Sequence, residues 1–261
     1  MELNLKTIYK STFSESFRIK ITNFKRHLKG LSLKGNNVAC NCCGKTFTKF
    51  LPKGNGLEIR ENAVCPNCGS LERTRLLLFY LQNETDIFKR NCKLLHIAPE
   101  DTLKKIFKAH SNIYYVNGDL NPNYADEIID MTNIQYPENN FDFVICSHVL
   151  GHIPDEKKAI QEMFRVLKPG GIAFVLTLLN KEDIPTIEDE NIKSDAERVK
   201  IYGEKDLVRL HGNDFAVRLH AGQFSVEKID YTKQLSSEIV EKYKLLNTRR
   251  GIIFKCTRVK N

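Results

Sequence analysis

The chain has 261 residues, 41% hydrophobic and 28% charged, a globular composition that excludes collagen-like or wholly disordered chains. No apolar run approaches the ~18 residues of a membrane span, and the opening MELNLKTIYK carries no secretory h-region, so a cytoplasmic protein is expected. The formal charge of +8 is uneven: residues 1–92 hold 16 Lys/Arg against 7 Asp/Glu, and residues 93–261 hold 24 against 25. A basic first third faces an anionic partner (nucleic acid, a phospholipid surface or a phosphorylated substrate) or simply keeps the protein soluble.

Three regions follow from the pattern. Residues 1–38 form a basic arm in which Phe13, Phe17, Ile21, Phe24 and Leu28 share a helix face, with Arg18, Lys20, Lys25, Arg26 and Lys29 largely off it. That face is expected to pack on the protein itself, with a membrane-surface or partner helix as the alternative. Residues 39–92 hold a cysteine cluster and a linking helix for which Ser70 is the expected N-cap. From 93 to 261, short apolar runs alternate with amphipathic helices. KLLHIA (93–98), IYYV (113–116), FDFVICS (141–147) and IAFVLTLL (172–179) read as strands. Asp101 is expected to cap the helix carrying Leu103, Ile106 and Phe107. Asp155 opens one carrying Ile160, Met163, Phe164 and Leu167, which Lys168-Pro169-Gly170-Gly171 should end. Such alternation predicts an α/β fold, a doubly wound and mostly parallel sheet preceded by a small metal-binding module.

Cys40-x2-Cys43-Gly44 and Cys65-x2-Cys68-Gly69 are two knuckles separated by 21 residues. Each pair can aim two thiolates at one ion, and four thiolates complete the tetrahedral shell of structural zinc. Cys42 lies within the first knuckle, as a bystander or as a substitute for Cys40. A closed four-sulfur shell leaves no open position for catalysis.

In a doubly wound sheet the ligand lies across the carboxyl ends of the strands. Asp119, just past the second strand, can accept two hydrogen bonds from a ribose diol. Asp130 can accept from an adenine amino group, and Met131 can pack on the ring. Each acid has the plainer alternative of a loop or capping residue.

The stretch Tyr136 to Leu150, then His152-Ile-Pro-Asp155, then Arg165-Val-Leu-Lys168-Pro-Gly-Gly171 resembles class I S-adenosylmethionine-dependent methyltransferases. The resemblance covers about 93–261, and the whole chain looks like a subgroup bearing an N-terminal zinc knuckle, with Ser70-Leu-Glu-Arg73 opening a helix. It implies a Rossmann-like domain with Asp119 and Leu120 at the cofactor ribose, Asp130 and Met131 at the adenine, and His96, Ala98, Pro99 and Glu100 at the methionine end. Ser147 and His148 would line the pocket floor. Two departures stand out: the first loop reads His-Ile-Ala-Pro-Glu in place of an acid followed by G-x-G-x-G, and Gly151 stands where a Glu usually precedes His152. Only 11 positions separate Asp119 from Asp130, too few for a full crossover helix.

Methyl transfer needs a base only when the acceptor is a hydroxyl or a protonated amine. His148 and His152 are the candidates, with local hydrogen bonding and pocket shaping as their plainer roles. Residues 202–219, with Glu204, Arg209, His211, Asp214 and Arg218, form either an acceptor wall or a solvated helix face. The leading expectation is methyl transfer to a small-molecule, glycan or lipid-linked acceptor, O-directed. One alternative is an RNA methyltransferase gripping phosphates through the zinc module and basic arm, although Phe47 and Phe50 are that module's only rings. Another is a catalytically silent cofactor-binding protein, suggested by the glycine-poor first loop and Gly151.

Overall fold

The computed structural model describes residues 12–54 and 58–259; the first eleven residues of the basic arm lie outside the described residues. The Ser14 hydroxyl accepts from Phe17 N and caps α1 (Glu15–Leu31). Two antiparallel hairpins follow, β1 (Lys34–Ala39) with β2 (Thr46–Phe47), and β3 (Leu51–Gly54) with β4 (Ile59–Val64). Strands β1 and β4 run directly into the two cysteine knuckles.

The larger part comprises α2 (Glu72–Glu84), β5 (Cys92–Ile97), α3 (Asp101–Lys108), β6 (Ile113–Asp119), β7 (Glu127–Ile128), β8 (Phe141–Ser147), α4 (Glu156–Val166) and β9 (Leu167–Leu176). It continues with β10 (Ile187–Glu188), α5 (Asp195–Tyr202), β11 (Arg209–Leu210), α6 (Phe215–His220), β12 (Phe224–Ile229), α7 (Ser237–Tyr243) and β13 (Ile253–Arg258). One seven-stranded sheet has the order β12-β13-β9-β8-β5-β6-β7. Strands β5 to β9 pair in parallel, while β12 and β13 are antiparallel. From β5 the chain moves outward to β6 and β7, then returns to place β8 on the other side of β5. The strand order therefore switches between β5 and β8, where a doubly wound sheet opens a ligand crevice.

Side chains alternate along β8, which places Phe143 and Ile145 in one core and Val144 and Cys146 in the other. The first core includes Leu76, Leu77 and Leu81 of α2 beside Leu94 and Phe174, so the linking helix is packed as one of the sheet's covering helices. Arg75 on the same helix is fully buried. It donates to the carbonyls of Ala63 and Ser70 on the cysteine side and to those of Tyr243 and Lys244 at the end of α7. This guanidinium clasps the cysteine module to the sheet domain.

Several local expectations are corrected. Ser70 does not cap α2, whose N-cap is Leu71 without a side-chain bond; its hydroxyl is turned to the cysteine sulfurs. Asp101 is the first residue of α3, and the N-cap position is Glu100. Asp155 does cap α4, accepting from Lys158 N. The segment Lys168 to Gly171 is no terminating turn. Phe141 pairs with Leu167 and Phe143 with Ile172, so these residues bulge within β9, with Gly170 at φ +81°. The strand thus begins earlier and ends earlier than the apolar run suggests. No helix lies between β6 and β7, as the short spacing predicted.

Candidate cofactor site and cysteine centre

The turn after β5 replaces glycines with an alanine in a glycine-like conformation. Ala98 has φ +48°, a left-handed geometry that costs an L-residue about 1–2 kcal/mol, and its N–H donates to Gly118 O at 2.8 Å. The loop therefore takes a turn that glycine ordinarily supplies. Glu100, at its end, accepts from the Ser147 hydroxyl at 3.1 Å, and its other oxygen lies 3.2 Å from His96 Nε2. His96 Nδ1 lies 3.0 Å from the Tyr115 hydroxyl. Burial works to raise the Glu100 pKa, but the His96 hydrogen bond and charge and the nearby Arg73 together hold it below the ordinary carboxylate value. His96 is fully buried and offers no surface to a ligand, unlike the sequence expectation that it lies at the methionine end; it meets Glu100 instead.

Beyond β8 the backbone turns again through a left-handed residue, His148 at φ +58°. Its Nε2 lies 3.2 Å from the Arg250 carbonyl. A carbonyl can only accept, so Nε2 carries the proton and Nδ1 keeps its lone pair. Burial, followed by Arg73 and Arg250, pushes the His148 pKa well below its ordinary value. The ring is neutral at physiological pH. Arg73, close enough to perturb both His148 and Glu100, makes no hydrogen bond or ion pair among the described residues, and its enclosed Nε has no partner. Burial works to lower the Arg73 pKa, and the charges of Glu100 and Glu72 oppose that without a direct ion pair. The sequence analysis marked Arg73 only as part of the Ser70-Leu-Glu-Arg73 helix start and not as a candidate site residue, because its neighbours Glu100, His148 and Arg250 arrive from distant segments.

The other expected residues sit at neighbouring strand ends. Asp119 ends β6 and accepts from Asn121 N at 2.8 Å through one oxygen. Leu120 is exposed beside it. Exposed Asp130 accepts from the backbone and hydroxyl of Thr132 through Oδ1. Met131 lies in the core with its sulfur 3.7 Å from Cys146 Sγ. Pro99 borders a cavity of about 240 Å³ shared with Glu100, Gly69 and Tyr124. Arg60, Leu178, Tyr202, Glu204 and Arg250 help line a larger one of about 640 Å³. Arg250 joins it to His148.

His152 stands apart, partly exposed, its Nδ1 3.1 Å from the Asp206 carbonyl. Gly151 sits close to Leu207: an added Cβ would lie 2.7 Å from Leu207 Cδ2, so that side chain would have to shift to admit one. The 202–219 segment divides: Tyr202, Glu204 and Asp206 line the larger cavity, whereas its later residues pack inward. Arg209 and His211 are buried; Arg209 donates to the carbonyls of Leu150, Ile153 and Pro154 and to Glu188. His211 lies between Thr177 Oγ1 at 2.7 Å and Glu156 Oε1 at 2.6 Å. These groups fix the loop that follows His148.

In the cysteine centre, Sγ atoms of Cys40, Cys43, Cys65 and Cys68 all lie within 4.8 Å of one another. The Cys40–Cys68 and Cys43–Cys65 separations are 3.6 and 3.8 Å, far beyond a disulfide bond and near the ~3.8 Å edge of a tetrahedron with 2.3 Å metal–sulfur bonds. The knuckles match: Gly44 N donates to Cys40 O and Gly69 N to Cys65 O, each glycine at positive φ. Ser70 Oγ lies 3.2 Å from Cys40 Sγ and 3.3 Å from Cys68 Sγ. Cys42 lies outside the cluster, against Asn41. Phe47 and Phe50 are buried, so the module presents neither ring for stacking on bases.

Residues 89–175 match the methyltransferase domain family. The demethylmenaquinone methyltransferase of Staphylococcus haemolyticus (strain JCSC1435) is 28% identical over 145 residues, 54% of this chain and 53% of that protein. The ajmaline N-methyltransferase of Rauvolfia serpentina is 28% identical over 108 residues, 41% of this chain and 34% of that protein. The chain thus spans about half or less of the length of these curated relatives. Among solved structures, the [4+2]-cyclase SpnF matches in fold with a TM-score of 0.50 at 16% identity, over 74% of this chain and 84% of that one. The doubly wound fold and the match of residues 89–175 to the methyltransferase domain family agree with each other.

Proposed function

We propose that the protein transfers the methyl group of S-adenosylmethionine to a polar small-molecule or glycan acceptor. The observation that carries this reading is the convergence of Glu100, Ser147, His148 and Arg73 at the switch between β5 and β8, with Asp119 and Asp130 at the ends of the neighbouring strands β6 and β7. S-adenosylmethionine when bound supplies the electrophilic methyl. Arg73 is the cation suited to its carboxylate, Glu100 and the Ala98 turn suit its amino end, Asp119 suits the ribose diol and Asp130 the adenine amino group. Buried Met131 keeps the adenine strand end rigid.

The acceptor enters through the larger cavity, whose lining holds seven Lys/Arg against four Asp/Glu, a balance that favours an anionic molecule. His148 presents a neutral ring whose free Nδ1 can take a proton from an acceptor hydroxyl, which supports oxygen as the methylated atom. Its depressed pKa makes it a weak base but an always-available one. The partly exposed His152 shapes the cavity rim with Asp206. Zinc in the Cys40, Cys43, Cys65 and Cys68 shell would hold the β4 hairpin, and with it Arg60, at the acceptor side. Hydrogen exchange with and without S-adenosylhomocysteine tests the site: protection of 96–100, 119–132 and 147–148 supports it, and protection elsewhere alone refutes it.

A further inference from the structure

Helix α1 is mounted with its polar side inward. Counting 100° per residue, Phe17, Ile21, Phe24, Leu28 and Leu31 fall within an arc of about 80°. Four of them are exposed: Phe17 44%, Phe24 63%, Leu28 48% and Leu31 52%. The opposite side holds the helix to the protein. Glu15 accepts from Asn121, Asn123 and the Tyr124 hydroxyl. Arg26 lies against Gly69 and donates to the Asn67 carbonyl, and Gly30 is buried beside Pro66. The expectation that the apolar row packs on its own protein is therefore reversed.

The charges beside the row name its occupant. Lys20 and His27 flank one edge and Lys25 and Lys29 the other, all exposed. Between residues 12 and 37 there are six Lys/Arg and a single acid, Glu15, which is engaged inward. A second copy packed on this face would bring two like-charged borders together. An anionic bilayer surface accepts both the phenylalanines and the lysines, the arrangement of a helix lying in the headgroup plane. We propose that α1 docks the protein on an anionic phospholipid membrane, with Phe17, Phe24, Leu28 and Leu31 as the inserted row. Among the described residues no helix is long and apolar enough to cross a bilayer, so the contact is peripheral. Because α1 grips the turn after Asp119, the docked face lies on the side of the sheet where the strands end. The proposal stands independently of the methyl-transfer reading.

The test is co-sedimentation of the full, metal-loaded chain with phosphatidylcholine vesicles and with vesicles containing about 30 mol% phosphatidylglycerol. At least about tenfold stronger retention on the anionic vesicles is expected, with a loss of about tenfold in both Phe17→Ser/Phe24→Ser and Lys25→Gln/Lys29→Gln. Both double variants alter exposed side chains, and unchanged melting temperatures would show that they fold. Equal retention on neutral vesicles, no retention, or retention indifferent to the phenylalanine changes would overturn the proposal. So would concentration-dependent dimerisation abolished by Phe17→Ser/Phe24→Ser, which assigns the face to a second copy.

Discussion

The Ser147 hydroxyl donates to Glu100 Oε1 at 3.1 Å, tying the end of β8 to the turn after β5. The two strands are neighbours in the sheet although 47 residues separate the two groups. Glu100 also holds His96, which in turn meets Tyr115 on β6. One hydrogen-bonded chain therefore spans the strand ends at the point where a doubly wound sheet opens.

Glu100→Gln should weaken S-adenosylhomocysteine binding about tenfold or more, since a charge-assisted hydrogen bond carries roughly 1.5–3 kcal/mol. It should also alter acid stability. The native Glu100 pKa lies below its unfolded value, so its contribution is complete above the ordinary carboxylate pKa and is lost as pH falls through the native one. Thermal melts from pH 7 down to about 3 should show a shallower acid decline in the variant than in the wild type.

His148 is neutral across the physiological range because burial, Arg73 and Arg250 depress its pKa. The kcat/KM profile for a hydroxyl acceptor should therefore stay flat through the ordinary histidine range and fall only at lower pH. His148→Asn should reduce kcat by about 10²–10⁴ if the ring is the base. An acid limb centred on the ordinary histidine value would point instead to another group.

Much of this arrangement was legible in the sequence. The 141–147 run is β8 residue for residue, because a strand buried on both faces is a continuous apolar stretch. The cysteine spacing gave its four-sulfur cluster directly. Ser70 was misread because a serine before a helix is a sound capping signal, and only tertiary structure turns its hydroxyl toward Cys40 and Cys68. Arg73 and Arg250 were illegible as partners of His148, since their approach depends on folding segments far apart in the chain. The α1 row was visible, but periodicity does not say which side of a helix faces out.

Removal of metal should unfold the cysteine module. Atomic analysis is expected to find one zinc per chain; Cys43→Ser or Cys65→Ser should abolish it, and Cys42→Ser should retain it. Chelation should lower the melting temperature, because folding of such a shell is coupled to metal binding. A chain that keeps full stability without metal would contradict this assignment.

Arg75→Met should cost about 3–5 kcal/mol in denaturant unfolding, the range for breaking a buried charged network from one side. The carbonyls of Ala63, Ser70, Tyr243 and Lys244 lose their shared donor, and its stacking on Phe50, 4.5 Å from the ring centre, is lost as well. Arg75→Lys should recover little, because one ammonium cannot span both sides of the clasp.

Gly118→Ala should destabilise the fold by about 1–3 kcal/mol, since an added Cβ would fall within the Ile129 side chain. The same change should weaken cofactor binding, because Gly118 O anchors the Ala98 turn and Asp119 follows it. Equilibrium unfolding and ligand titration together separate the two effects.

The most direct test of the cofactor assignment is calorimetric titration of the metal-loaded protein with S-adenosylmethionine and S-adenosylhomocysteine, alongside Asp119→Ala and Arg73→Gln. Micromolar binding with one site per chain is expected, and each substitution should weaken it at least about tenfold while the protein stays folded. Absence of binding to folded wild-type protein, or binding that neither substitution changes, would contradict the account.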